Sequence, residues 1–336
     1  MDERISLTIV TGFLGSGKTT LIRRYLAGGA DRVGIVVNEY GEIGLDQLLF
    51  VHAPEKLELV ASGCLCCARR NDISRALHQL VERSRSTGGR GIDHALIETS
   101  GLADPAPIIA TILQDPWLRA HVQLSSVITV LDAVNGPATL ARNIEAVRQV
   151  AMADTVVITK GDLGAAHEVK TLETEIRARA PDARILDAQD ADLDLGALFT
   201  SDSVMPHINI GSKQTEIQPT GHETRSFILG LEDEIDWPAF TLWLSALLHR
   251  HGDRILRVKG MVTVKSTGKP LVIQGVQHVM YPPVHIDPAT AADQRRGLVF
   301  ITAGIAQEDI ERSLRAYLAS VDGLQDHNLR RPAPVA

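Results

Sequence analysis

Cysteine is nearly absent from this chain: 336 residues hold three, Cys64, Cys66 and Cys67, all within four positions. So small and odd a cluster is no disulfide framework, and it points to thiols kept free in a reducing compartment. A basic excess is absent too. Lys and Arg number 34 against 41 Asp and Glu, a net charge of −7, which argues against a nucleic-acid partner. No apolar run approaches the ~20 residues that span a bilayer, so no membrane partner is expected. The start, Met1-Asp2-Glu3-Arg4, lacks the basic region and long apolar stretch of a secretion signal, and a cytoplasmic protein is expected. Repeats and low-complexity segments are missing as well. What remains is ordinary globular composition, 44% hydrophobic and 22% charged, at a length that favours two domains.

Strand-like apolar runs at 6–11, 33–37, 95–98, 127–131 and 155–159 alternate with helical spacing such as Ile73, Leu77, Leu80 and Val81. Strands apolar on both faces, alternating with helices, predict an α/β fold over residues 1–205: a parallel sheet covered by helices on both faces. In such a sheet, ligands lie at the carboxyl ends of the strands. Residues 206–222 are polar, carry Pro206, Gly211, Pro219 and Gly221, and read as a linker. Beyond it, a strand, a helix bearing Trp237, Phe240, Leu244 and Leu248, further strands and a closing helix near 307–321 predict a smaller α+β domain over 223–322. The polar remainder, 323–336, reads as a frayed tail.

The segment Gly12-Phe13-Leu14-Gly15-Ser16-Gly17-Lys18-Thr19 has the Walker A pattern, two glycines four apart followed by Lys and Thr, between an apolar strand and an amphipathic helix. That context identifies a P-loop and hence a P-loop NTPase sheet. Its glycines turn backbone N–H groups toward phosphate, Lys18 neutralises the β/γ-phosphates, and the Thr19 hydroxyl suits Mg²⁺. Thr159-Lys160-Gly161-Asp162 ends a later strand and resembles a guanine-reading Asn-Lys-x-Asp loop with Thr in first place. Asp162 would accept hydrogen bonds from guanine, and the Lys160 stem would lie across the base. Glu98-Thr99-Ser100-Gly101 ends another strand. There Glu98 is in position to reach Mg²⁺, and the Gly101 N–H to meet the γ-phosphate. The carboxylates and glycines of 38–46, Glu39 and Glu42 among them, suit a loop that closes on Mg²⁺ and phosphate. No water-positioning Gln is evident, so slow intrinsic turnover is expected.

Cys64-Leu65-Cys66-Cys67 brings three soft sulfur donors within reach of one metal ion, Zn²⁺ or Cu(I), with Glu42, a His or water completing the set. A thiol-redox role and three simply buried cysteines are the alternatives.

Together these segments resemble the CobW-type GTPases, a family of metallochaperones. The stretches 12–20 (through Thr20), 38–46, 63–67, 98–105 and 159–162 carry the resemblance, joined in the second half by 256–260 and 274–278. The resemblance implies a Mg²⁺-dependent enzyme that hydrolyses GTP to GDP, binds Zn²⁺ or a related ion, and delivers it to a client metalloprotein. Self-association is compatible with it. Cys64, Cys66 and Cys67 match the family's metal motif, and Glu42 an acidic position implicated in metal binding. Two departures follow: Val37 stands where some relatives carry another acidic ligand, and no His-rich loading stretch is present. A P-loop kinase or ATPase, and a metal- and nucleotide-dependent sensor or assembly factor, are the competing readings.

Overall fold

The computed structural model describes residues 4–30, 32–37, 47–51, 57–61, 69–86, 91–163, 166–200, 224–231, 233–289, 291 and 296–329. The chain divides into two compact units, 1–224 and 225–336.

The first unit runs β1 (Ile5–Thr11), α1 (Lys18–Ala27), β2 (Val33–Val37), β3 (Gln47–Val51), β4 (Leu57–Ala61), α2 (Arg69–Ser86), β5 (His94–Glu98), α3 (Ala106–Gln114), α4 (Pro116–His121) and β6 (Val122–Asp132). It continues with α5 (Gly136–Arg142), α6 (Ile144–Ala151), β7 (Thr155–Thr159), α7 (Ala166–Arg179), β8 (Arg184–Asp187) and α8 (Leu195–Thr200). The sheet order is β4-β3-β2-β5-β1-β6-β7-β8. The six strands from β2 to β8 are parallel, while β3 and β4 add an antiparallel hairpin at one edge. The parallel sheet is as expected; the antiparallel pair is an addition to it that was not expected, because short apolar runs carry no period that separates strand from helix.

The alternation of the strands is what covers both faces. Ile128, Val130 and Val157 pack with Leu21, Ile22 and Tyr25 of α1 and Leu198 and Phe199 of α8. Their neighbours Leu131, Val156 and Ile158 pack the other way, onto Val147 and Val150 of α6 and Leu172 and Ile176 of α7. Such two-faced burial is what a parallel sheet requires. The chain leaves β1 toward β2 and β5 on one side, and toward β6, β7 and β8 on the other. This reversal makes the carboxyl edge around β1 the expected ligand crevice. On the described part of α2, Ser74 and His78 both bond the Asp115 carboxylate, which also caps α4 through the N–H groups of Trp117 and Leu118. Burial alone would raise its pKa, but these four bonds hold it at about 2.

The second unit runs β9 (Thr224–Gly230), α9 (Trp237–His251), β10 (Ile255–Val264), β11 (Lys269–Val276), β12 (Val279–Met280), β13 (Val284–His285), β14 (Gly297–Ala303) and α10 (Gln307–Leu329). Its sheet has the order β12-β11-β10-β14-β9, with β13 also beside β11. β10 pairs antiparallel with β11 and β14, which fits the expected α+β domain. Phe240, Trp243, Leu244 and Leu248 of α9 and Ile310 and Leu314 of α10 cover one face of it. α10 continues through Gly323 to Leu329, into the stretch expected to fray. One interior glycine costs roughly 1 kcal/mol, which a helix already nucleated absorbs by adding a bond per residue. No described helix is long and apolar enough to cross a membrane.

One core residue makes the fold sensitive to acid. His94 opens β5 at 3% exposure, and neither ring nitrogen has a hydrogen-bond partner among the described residues. Burial without a partner lowers its pKa from 6.5 to about 4. The unfolded chain therefore takes up this proton first, and stability is intact above pH 6.5 and lost as pH falls toward 4. The loss amounts to about 3 kcal/mol across that window. His94→Leu should flatten this limb of a melting-temperature-against-pH curve while leaving pH 8 stability little changed.

Candidate active site

The P-loop hangs between β1 and α1, and its glycines are dictated by geometry. Gly12 has φ +144°, and an added Cβ would lie 2.3 Å from the Val130 carbonyl oxygen in β6. Gly17, at φ +98°, caps α1, so the helix begins on Lys18 with its free N–H groups directed at the loop. Lys18 is 8% exposed and its Nζ donates to the carbonyls of Gly12 (2.7 Å) and Phe13 (3.2 Å), which keeps the ammonium over the loop. Ser16 Oγ is buried with no hydrogen-bond partner among the described residues. A buried hydroxyl of this kind wants a polar neighbour, and phosphate oxygens supply one. Thr20 lies exposed in the first turn of α1.

Glu98, the buried last residue of β5, is level with Val10 of β1 and Val37 of β2. Thr19 Oγ1 donates to its Oε1 at 2.5 Å, bringing two hard oxygen donors together beside the loop. Thr99 fastens the same corner: its N–H donates to the Val10 carbonyl, and its hydroxyl to Thr11 Oγ1. Gly101 packs hard against the P-loop, for a Cβ there would meet Leu14 N at 2.7 Å. Glycine is what permits so close a backbone approach.

The β7 loop reaches the P-loop from the other side. Thr159 Oγ1 donates to Ser16 O at 2.7 Å, so the threonine that replaces Asn ties this loop to the phosphate loop by its hydroxyl. Lys160, held in the left-handed region at φ +58°, donates from Nζ to Gly15 O (2.9 Å) and to Asp132 Oδ2 (2.6 Å). Asp132 also receives the N–H groups of Val134 and Asn135 and the Asn135 amide. Burial would raise its pKa, yet these bonds, the Lys160 one foremost, keep it lowered. Asp162 is exposed, and Gln189 Nε2 donates to its Oδ1 at 3.0 Å.

The carboxyl edge therefore gathers Gly12, Gly15, Ser16, Gly17, Lys18, Thr19, Glu98, Gly101, Thr159, Lys160 and Asp162 from three strands, β1, β5 and β7, or the turns after them. Glu39, Glu42, Cys64, Cys66 and Cys67 lie outside the described residues. Asp132, Gln149 and Gln189 were not expected from sequence. Asp132 ends β6 level with Thr159, a position that the strand-end rule would have flagged.

Known proteins resemble this chain in sequence and fold. Residues 6–187 match the family model of the CobW/HypB/UreG nucleotide-binding domain, and residues 224–318 that of the cobalamin synthesis protein CobW C-terminal domain. The chain is 31% identical to the zinc chaperone YjiA of Escherichia coli K12, over 91% of this chain and 96% of that protein. It is 32% identical to the zinc chaperone CobW of Pseudomonas aeruginosa, over 94% and 92% respectively. The crystal structure of Zn(II)-bound YjiA GTPase from E. coli aligns with a TM-score of 0.71 at 28% identity, over 94% of this chain and 99% of that one.

Proposed function

This chain belongs to the CobW/HypB/UreG family of nucleotide-binding proteins, and from that membership we propose a cytoplasmic GTPase that couples its nucleotide state to holding a zinc ion and delivering it to a client metalloprotein. The observation that carries the enzymatic half is the Thr19–Glu98 contact, a hydroxyl and a carboxylate brought together where the P-loop meets the end of β5.

The residues divide the work by position. P-loop N–H groups and the α1 terminus hold the phosphates, and Lys18 exchanges two loop carbonyls for β/γ-phosphate oxygens. Thr19 Oγ1 and Glu98 Oε1 are a hard oxygen pair that fits Mg²⁺, which when bound offsets charge building between the β- and γ-phosphates. The Gly101 N–H faces the γ-phosphate, Asp162 accepts from guanine, and the Lys160 stem covers the base. Zinc is cargo here: Cys64, Cys66 and Cys67 supply thiolates and Glu42 a carboxylate.

Coupling follows if GTP closes the 38–46 loop and thereby moves Glu42 relative to the cysteines. Zinc affinity then depends on the nucleotide, and nucleotide affinity on zinc, by one factor. Zinc titrated against the protein with GDP and with a non-hydrolysable GTP analogue is expected to give affinities that differ roughly 5–150-fold. Equal affinities would overturn the coupling. In the same assay, ATP displacing labelled GTP as well as GTP does would remove the guanine assignment.

A further inference from the structure

Gln149 lies on α6, behind the loop that follows β5, and is completely enclosed. Its Nε2 donates to the carbonyls of Gly101 (3.1 Å) and Ala103 (3.0 Å), so one amide grips the same loop at two points. Its own backbone carbonyl is held by Thr129 Oγ1 of β6 at 2.7 Å, which fixes the grip to the sheet. Next to it, Arg148 pairs with Asp104 at 3.4 Å, and Asp104 in turn receives the Ala106 N–H at the start of α3. The Oε1 of Gln149 has no hydrogen-bond partner among the described residues. The amide is thus used only as a donor, aimed at backbone carbonyls.

The loop it grips is confined from two sides. In front, Gly101 has so little room that an added Cβ would meet Leu14 N at 2.7 Å and Leu14 Cα at 2.8 Å. Behind, the amide sets how far the Gly101–Ala103 backbone can retreat. Between them they fix where the Gly101 N–H stands relative to the phosphate loop. We infer that Gln149 is a positioning residue for GTP hydrolysis, acting through Gly101, although it touches neither nucleotide nor metal. A glutamine bears on this reaction after all, by holding backbone rather than water.

The inference rests on the GTPase reading of the same site, and the test separates the two. Gln149→Met keeps the volume and removes the donor. Single-turnover GTP hydrolysis by the full-length chain should fall about tenfold, since small displacements at a reacting centre are felt strongly. GDP affinity, set by the P-loop and the β7 loop, should stay within about twofold. Arg148→Ala, at a half-buried position, should lower the same rate by less, about two- to threefold. If wild type hydrolyses no GTP, the GTPase reading fails. If it does and Gln149→Met matches it, or if rate and GDP affinity fall in parallel, the positioning role is overturned. Should Gln149→Met not fold, Gln149→Asn, which withdraws the amide by one methylene, is measured in the same way and judged on the same outcomes.

Discussion

Gly12→Ala is expected to reduce GDP and GTP affinity by more than 100-fold and to lower the stability of the nucleotide-binding unit by roughly 2–4 kcal/mol. Two independent demands meet at this residue. Its φ of +144° lies where side chains are rarely accommodated, and the added Cβ would lie 2.3 Å from Val130 O and 2.8 Å from Ser16 Oγ. Val130 cannot withdraw, because β6 is bonded to β1 on one side and β7 on the other. The loop must yield instead, and it carries the Gly12 carbonyl on which Lys18 leans. Gly15 is the internal control. Its φ is +71°, but nothing lies within 4 Å of an added Cβ. Gly15→Ala therefore meets only the left-handed penalty, about 1 kcal/mol, and should weaken binding several-fold. Fluorescent GDP binding and thermal melts of the two variants check this ordering. If Gly15→Ala proved the more damaging, the steric account of the loop would be wrong.

The same contrast shows what a sequence of this kind makes legible. The P-loop reads from its pattern because each residue type there answers a local demand, and the parallel strands read from apolar runs that must face helices on both sides. β6 extends to Val122, well before the expected 127, because Gln123, Ser125 and Ser126 interrupt the apolar run. One of those serines is satisfied across the sheet, Ser6 Oγ lying 2.7 Å from Ser125 Oγ, and no local pattern records such a pairing. The edge hairpin β3–β4 escaped for a related reason. Leu48-Leu49-Phe50-Val51 and Leu57-Glu58-Leu59-Val60 are too short for length or period to choose between helix and strand.

At the site, the residues proposed to contact nucleotide were legible and those that hold them were not. Thr159, Lys160 and Asp162 belong to the recognisable tetrapeptide Thr159-Lys160-Gly161-Asp162, whereas Asp132 and Gln189 position two of them from 28 and 27 residues away. Gln149 left a fainter signal. It shares the inward stripe of α6 with Ala146 and Val150, and a polar residue on such a stripe needs an explanation. Long-range hydrogen bonds of this kind depend on strand order, which no local pattern specifies.

Replacing Cys64, Cys66 and Cys67 together by serine is expected to raise the zinc dissociation constant roughly 1,000-fold or more, since most of the binding free energy of such a site comes from deprotonated sulfur. Serine preserves shape but does not ionise near neutral pH, so the variant isolates the thiolates from mere packing. GDP affinity without metal should stay within about twofold of wild type, because the groups proposed to hold the nucleotide belong to other segments of the chain. Reciprocity then makes a second, sharper demand. If zinc and nucleotide communicate, the serine variant must lose the effect of zinc on GTP-analogue affinity, since an effector that no longer binds has no free energy to contribute. Retained zinc affinity would place the ligands elsewhere and remove the metal reading of the Cys-x-Cys-Cys segment. Lost GDP affinity in metal-free protein would instead make that segment part of the nucleotide site. A thiol-redox role predicts neither result: there zinc would bind weakly in both proteins, and the difference between them would emerge only on oxidation. The proposed hand-off therefore depends on one measurable asymmetry, a chain that keeps its nucleotide and loses its metal when three sulfur atoms become oxygen.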